Sequence, residues 1–167
     1  MEFTEDQIAS LEAPLNRAVV SQRQKGSFSL SYIEGWWAIS EANRIFGFGN
    51  WTNELLSMVP IEQPRQGDHN YTSANNREGY LASYIATVRV TVGDQVHDGI
   101  GYGEGIDYSN VGQAAESAVK EAATDAIKRA LIHWGNPFGL ALYDKTQANV
   151  TSTPQKPRRP TLGFRIT

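Results

Sequence analysis

The 167-residue chain predicts an α+β fold, an antiparallel β-sheet with one long helix packed on it, and three observations carry that expectation. Tyr80, Ala82, Tyr84, Ala86, Val88, Val90 and Val92 alternate with Ser83, Thr87, Arg89 and Thr91, the pattern of a strand with one buried face. Gly93-Asp94 then offers a two-residue turn into a return strand from Gln95 to about Tyr102. Last, Val111, Ala115, Ala118, Val119, Ala122, Ala126, Ile127, Ala130, Leu131 and Trp134 recur at three- and four-residue steps, a helix over about 111–134 capped by Ser109 or Asn110. So many alanines on one stripe let a helix lie close to a sheet.

The other elements follow in chain order. Thr4 caps a short helix through Gln7, Ile8 and Leu11 that Pro14 ends. Residues 15–30 show no clean period. Ser31-Tyr32-Ile33-Glu34 reads as a capping box opening a second helix, with Ile33, Trp36, Trp37, Ala38, Ile45 and Phe46 as its apolar positions and Gly47 as its stop. A strand is expected around 51–61, and the polar stretch Gln63–Glu78 after it is a long loop or an exposed hairpin tip. Beyond Asn149 the composition shifts to Thr, Ser, Pro, Gln, Lys and Arg. The expected division is a folded domain over 1–148 and a flexible basic tail over 149–167.

Length and composition narrow the function classes. One domain with a sizeable core fits this length. No stretch approaches a membrane span, and the acidic start Met1-Glu2-Phe3-Thr4-Glu5-Asp6 lacks the features of a secretory signal, so the expected place is the cytoplasm or nucleoid. Zero cysteines exclude disulfides and thiolate chemistry. The chain holds 15 basic and 18 acidic side chains. Residues 146–167 take four of the basic ones, Lys156, Arg158, Arg159 and Arg165, and no acid, so the remainder holds 11 against 18, net −7. Nucleic acid binding to that remainder needs a local basic strip, because the wider field repels phosphate.

Motifs for catalysis or cofactors do not assemble. Gly99-Ile-Gly101-Tyr-Gly103-Glu-Gly105 has Ile106 where a dinucleotide fingerprint needs its last glycine, and no Gly-Lys-Ser/Thr exists for a Walker loop. A backbone cradle for a phosphodiester or a tight strand-to-helix turn remain as readings of that cluster. His69, His97 and His133 lack ligand spacing, no metal site is expected, and no serine sits in a nucleophile elbow. The informative segment is Lys120–Leu131: on a helix Lys120, Thr124 and Lys128 share one exposed strip, and Asp125 reaches Arg129 at i,i+4. That strip is either a solvated face with an internal ion pair or a surface for phosphates.

Five blocks in register then resemble a family. Tyr32-Ile33-Glu34-Gly35, Ala42-Asn43-Arg-Ile-Phe46-Gly47-Phe48-Gly49-Asn50-Trp51, Gly101-Tyr102-Gly103, Lys120-Glu121-Ala122 with Thr124-Asp125 and Lys128-Arg129-Ala130-Leu131, and Trp134-Gly135-Asn136 resemble the N-terminal annealing domain of Rad52, over roughly residues 11–146. The resemblance implies a β-β-β-α core assembled side by side into a ring, with a groove around its stem that grips single-stranded DNA by its phosphates. By motif position Lys128 and Arg129 inherit that grip, with Lys120 on the same helix. The chain departs from the family where Trp37 replaces an arginine, where Ile132 and His133 follow Lys-Arg-Ala-Leu in place of another, and where Phe48 replaces a tyrosine. Arg44, Trp37, Phe48 and His133 are therefore secondary candidates. Lysines of a second, outer DNA site have no counterpart, since Glu78 and Ser109 lie near those places. The short length looks like a phage or bacterial member, acting in a bacterial or phage-infected cell.

The implied function is ATP-independent binding and annealing of single strands in recombination or repair, without an enzyme's active site or a cofactor. The alternative is a ring that recruits a recombinase or single-strand-binding protein and touches DNA little.

Overall fold

A computed structural model describes residues 2–62 and 69–152. In chain order the elements are α1 (Glu5–Glu12), β1 (Leu15–Asn16), β2 (Val20–Lys25), β3 (Phe28–Ile33), α2 (Gly35–Phe46), β4 (Trp51–Pro60), β5 (Tyr71–Thr72), β6 (Glu78–Val92), β7 (Gln95–Asp107), α3 (Val111–Leu131) and β8 (Val150–Thr151). The backbone divides into two compact units, Thr52–Leu131 and Met1–Trp51 with Ile132–Thr167. The fold is α+β, with an antiparallel sheet and a long helix on it, as the sequence predicts.

The first unit is that sheet and helix. β6 and β7 form a long antiparallel hairpin, in register from Val92↔Gln95 to Tyr80↔Asp107, turning at Gly93-Asp94. β4 and β5 pair with β6 as well, β5 through Tyr71↔Gly79 and Thr72↔Glu78. The stretch expected as a long loop or hairpin tip therefore holds a short strand at its end, while residues 63–68 lie outside the described ones. One face of β6 buries Ala86, Val88, Val90 and Val92, and α3 buries Ala114, Ala118, Ala122, Ala126, Ala130 and Leu131.

The glycine cluster is neither a phosphate cradle nor a turn. β7 runs on past Tyr102 to Asp107 and carries Gly99, Gly101, Gly103 and Gly105 on the face that meets α3. The strand alternates because its side chains alternate, and its inner positions hold none at all. A Cβ on Gly103 would lie 2.0 Å from the Ala118 carbonyl oxygen, and one on Gly101 would lie 2.2 Å from the Ala126 nitrogen. Helix backbone thus rests on strand backbone, with alanine methyls filling the gaps. Val111, expected on the buried stripe, is 60% exposed, and Ala114 takes the first buried position.

In the second unit the core is aromatic. Phe46 stacks on Phe138 with ring centroids 5.7 Å apart, and packs against Phe3 and Trp134 at 5.9 Å each. Thr4 and Gln7 form the capping box of α1, and the Gln7 side-chain amide donates to the Ile45 carbonyl. The expected capping box at Ser31–Glu34 does not form. Ser31 pairs with Gln22 in the hairpin of β2 and β3, and the N-cap of α2 is Glu34, without a side-chain cap. Residues 15–30, which have no readable period, hold β1 and most of this hairpin. α2 stops at Gly47, whose φ of +91° suits glycine. β8 runs parallel to β1 through Leu15↔Val150 and Asn16↔Thr151, so strand pairing continues past residue 148. The basic residues Lys156, Arg158, Arg159 and Arg165 lie outside the described residues.

Candidate functional site

α3 carries three of the candidate residues, and its register decides what each faces. With about 100° per residue, positions two steps from the alanine stripe lie on the far side of the helix. Lys120 and Lys128 occupy such positions, relative to Ala118 and Ala126. The Lys120 ammonium pairs with Glu116 one turn earlier and stays 72% exposed. Lys120 holds the Glu116 carboxyl below the usual range, by hydrogen bond first and charge second. The Thr124 hydroxyl between the lysines donates to the Lys120 carbonyl, 2.8 Å away.

Arg129 lies on a different flank, one position from the stripe. Glu121, Asp125 and Arg129 succeed one another at four-residue steps, so all three share it. That flank meets the edge of β7 that faces away from β6. The Glu104 backbone N–H donates to Glu121 at 3.0 Å and the Tyr102 N–H to Asp125 at 3.4 Å. Asp125 Oδ2 also accepts from Arg129 Nε at 2.8 Å. The i,i+4 pair read from the sequence is present, and it is tied into the sheet edge. A strand edge left bare invites pairing with another chain, and here helix carboxylates cover part of it.

The entrance to α3 is built by polar turns. Asp107 accepts from the backbone N–H groups of Ser109 and Asn110 at 2.8 and 2.7 Å. These bonds, Ser109 first, hold its carboxyl below the usual range. Of the two expected caps, Asn110 is the one whose side chain accepts from the helix, at Gly112 N–H.

The remaining candidates belong to the other unit. Arg44 on α2 makes a two-pronged pair with Glu41, at 2.8 and 2.7 Å. Glu41 is buried, so this arginine answers a carboxylate that burial would otherwise penalise. The pair, through its hydrogen bond above all, raises the Arg44 pKa further. Trp37 is half-buried and donates its Nε1 to the Pro137 carbonyl, while its neighbour Trp36 is 67% exposed. Phe48 is 85% exposed after the end of α2, and His133 is exposed in the single helical turn Ile132–Trp134. The structure thus gathers Lys120, Lys128 and Arg129 on one helix, and Arg44, Trp37, Phe48 and His133 in the second unit. Sequence reasoning missed the Glu116–Lys120 and Glu41–Arg44 pairs, which i,i+4 and i,i+3 spacing would have flagged. It also missed the carboxylate bonds to β7, which no local spacing reveals.

Among the described residues no helix is long and apolar enough to cross a membrane. Residues 4–160 match the family model described as Rad52/22 family double-strand break repair protein. The chain is 38% identical over 140 residues to the DNA repair and recombination protein rad22 of Schizosaccharomyces pombe, covering 82% of this chain and 28% of that one. It is 39% identical over 140 residues to the DNA repair and recombination protein RAD52 of Eremothecium gossypii, covering 82% and 30%. For the protein of that name in Saccharomyces cerevisiae the identity is 36% over 145 residues, covering 85% and 28%. The chain spans less than a third of these relatives' lengths. They are fungal, so the expectation of a phage or bacterial member, and of such a host cell, finds no support in them. With its matching motifs distributed over both units, the chain belongs to the Rad52/22 family of double-strand break repair proteins.

Proposed function

We propose that this chain binds single-stranded DNA and anneals complementary strands, as a homo-oligomeric ring that consumes no nucleotide and catalyses no covalent step. The observation that carries this reading is that three cations lie on α3 off its alanine stripe, two on the far side and one on the flank beside β7. In a domain whose overall charge repels phosphate, Lys120, Lys128 and Arg129 recur on one rigid helix, and Arg129 stays 54% exposed although bonded to Asp125. Repeated around a ring, such a helix makes a continuous cationic track for a flexible strand. Lys128 and Arg129 are the main contacts, and Arg44, Trp37, Phe48 and His133 of the other unit are secondary contacts. The cluster at Lys156, Arg158 and Arg159 adds non-specific phosphate contacts. Leu55, Val59, Ile100 and Tyr102, about half-exposed or more in the sheet unit, support a surface that neighbouring copies cover.

The test is a mobility-shift assay with a labelled oligonucleotide, run beside complementary-strand annealing without nucleotide or metal, with oligomer size followed by light scattering. The Lys128→Ala, Arg129→Ala double variant should keep its oligomer, lose most single-strand binding and annealing together, and show a flatter salt dependence. Each lost phosphate contact removes about 0.7 from the slope of log K on log salt. An intact oligomer of this variant that anneals at the parental rate sinks the assignment. A parental ring that binds no oligonucleotide favours the recruiting scaffold, whose partner is a recombinase or single-strand-binding protein.

A further inference from the structure

Glu121 and Asp125 share a flank and a backbone anchor. Each sits on the same flank of α3, each accepts a backbone N–H from the outward edge of β7, and removing either takes one negative charge from the helix. Asp125 is also bonded to Arg129, through Nε at 2.8 Å, and its side chain is 25% exposed against 54% for the arginine. A guanidinium has five N–H donors in a fixed fork, so one carboxylate bond orients it without exhausting it. A carboxylate beside a phosphate-binding arginine has two opposed effects. It repels the phosphate, and it limits the rotamers of a long side chain before the strand arrives.

We propose that Asp125 is a positioning residue for the strand contact: anchored on the Tyr102 N–H, it holds Arg129 in the orientation that meets the phosphates. This deepens the reading above and rests on Arg129 being a DNA contact. It requires positioning to outweigh repulsion, so removing a negative charge near the track weakens binding to a polyanion. Simple electrostatics gives the opposite sign.

The experiment uses the full chain and measures oligonucleotide affinity, its salt slope and oligomer size for Asp125→Ala, Glu121→Ala, Arg129→Ala and the Asp125→Ala, Arg129→Ala double variant. Asp125→Ala is expected to weaken binding roughly three- to tenfold, the effect of restoring rotamer freedom to one long side chain. Glu121→Ala, which loses the same charge and the same kind of edge bond, should bind as the parent does or more tightly. In the Arg129→Ala background, Asp125→Ala should weaken binding no further, because it acts through that arginine. If Asp125→Ala disrupts the oligomer, Asp125→Asn replaces it, keeping an oxygen for the Tyr102 N–H while losing the charge that holds Arg129, and should also weaken binding. Equal losses from Asp125→Ala and Glu121→Ala overturn the proposal, as does tighter binding on removing Asp125 or an undiminished loss in the Arg129→Ala background. Parental affinity in Arg129→Ala alone defeats the assignment of Arg129 on which the proposal rests.

Discussion

The two units of this chain solve the packing problem in opposite ways. Between Thr52 and Leu131, helix and sheet approach until backbone meets backbone, with glycine on β7 and alanine on α3. Across Met1–Trp51 and the segment from Ile132, four aromatic rings, Phe3, Phe46, Trp134 and Phe138, fill a core among short elements. A contact between backbones has no slack for an added atom, whereas a core of rings has none for a missing one. Each unit is therefore fragile toward a different class of substitution.

The largest expected effect breaks the first arrangement. Gly103→Ala puts a methyl carbon 2.0 Å from the Ala118 carbonyl oxygen and 2.3 Å from the Ala122 nitrogen, both helix backbone. No rotamer relieves this, so α3 must lift from β7 along several turns. The expected loss exceeds about 5 kcal/mol, the range reserved for a wholly disrupted contact. Denaturant unfolding measures it, and hydrogen exchange should show lost protection in β6, β7 and α3.

Next comes the aromatic core. Phe46→Ala removes the ring that touches Phe3, Trp134 and Phe138 and leaves a cavity, with an expected loss of about 3–5 kcal/mol. Phe46→Leu should recover much of it, since a volume-conserving apolar side chain refills most of the space. If adding one methyl at Gly103 proves milder than removing one ring at Phe46, the contrast between the units fails.

The same contrast explains what could be read from the sequence. The strand at 80–92, its turn at Gly93-Asp94 and the long helix were legible because one buried face imprints a period on the chain. The far half of β7 was not. The return strand was expected to end near Tyr102, with the glycine cluster read as a cradle or a tight turn, and only the helix lying over Gly103 and Gly105 carries the strand on to Asp107, a cause that arrives from residues 114–122. The hairpin of β2 and β3 was hidden for the converse reason. Phe28, Ser29 and Leu30 are all exposed, so no buried face wrote a period. The capping box at Ser31 was a correct local motif overruled by pairing with Gln22. At the candidate site, the Asp125–Arg129 pair was visible because spacing on one helix suffices. The bonds from β7 to Glu121 and Asp125 depend on which strand edge lies beside the helix, and that is written nowhere near either residue.

The smallest effect separates the entrance of α3 from its docking. Asp107 accepts from the N–H groups of Ser109 and Asn110, and these bonds lower its folded pKa. A carboxyl with a depressed folded pKa contributes stability that is fully present above its unfolded value, near pH 3.9, and fades as pH falls through the folded value. The parental protein should therefore lose thermal stability over the acid range as this contribution disappears, while the glycine and alanine contacts, which do not titrate, persist. Asp107→Asn should lower the melting temperature modestly at neutral pH, because the amide oxygen accepts the same bonds without the charge. As pH falls through the lowered folded value the two curves should converge, since the parental carboxyl then becomes neutral as well. Thermal melts from pH 7 down through the acid range decide the matter. Parallel curves with a constant gap would mean that Asp107 supports the turn by shape alone. Convergence would show that its charge acts on the first turn, leaving the rest of the helix to be held by backbone resting on backbone.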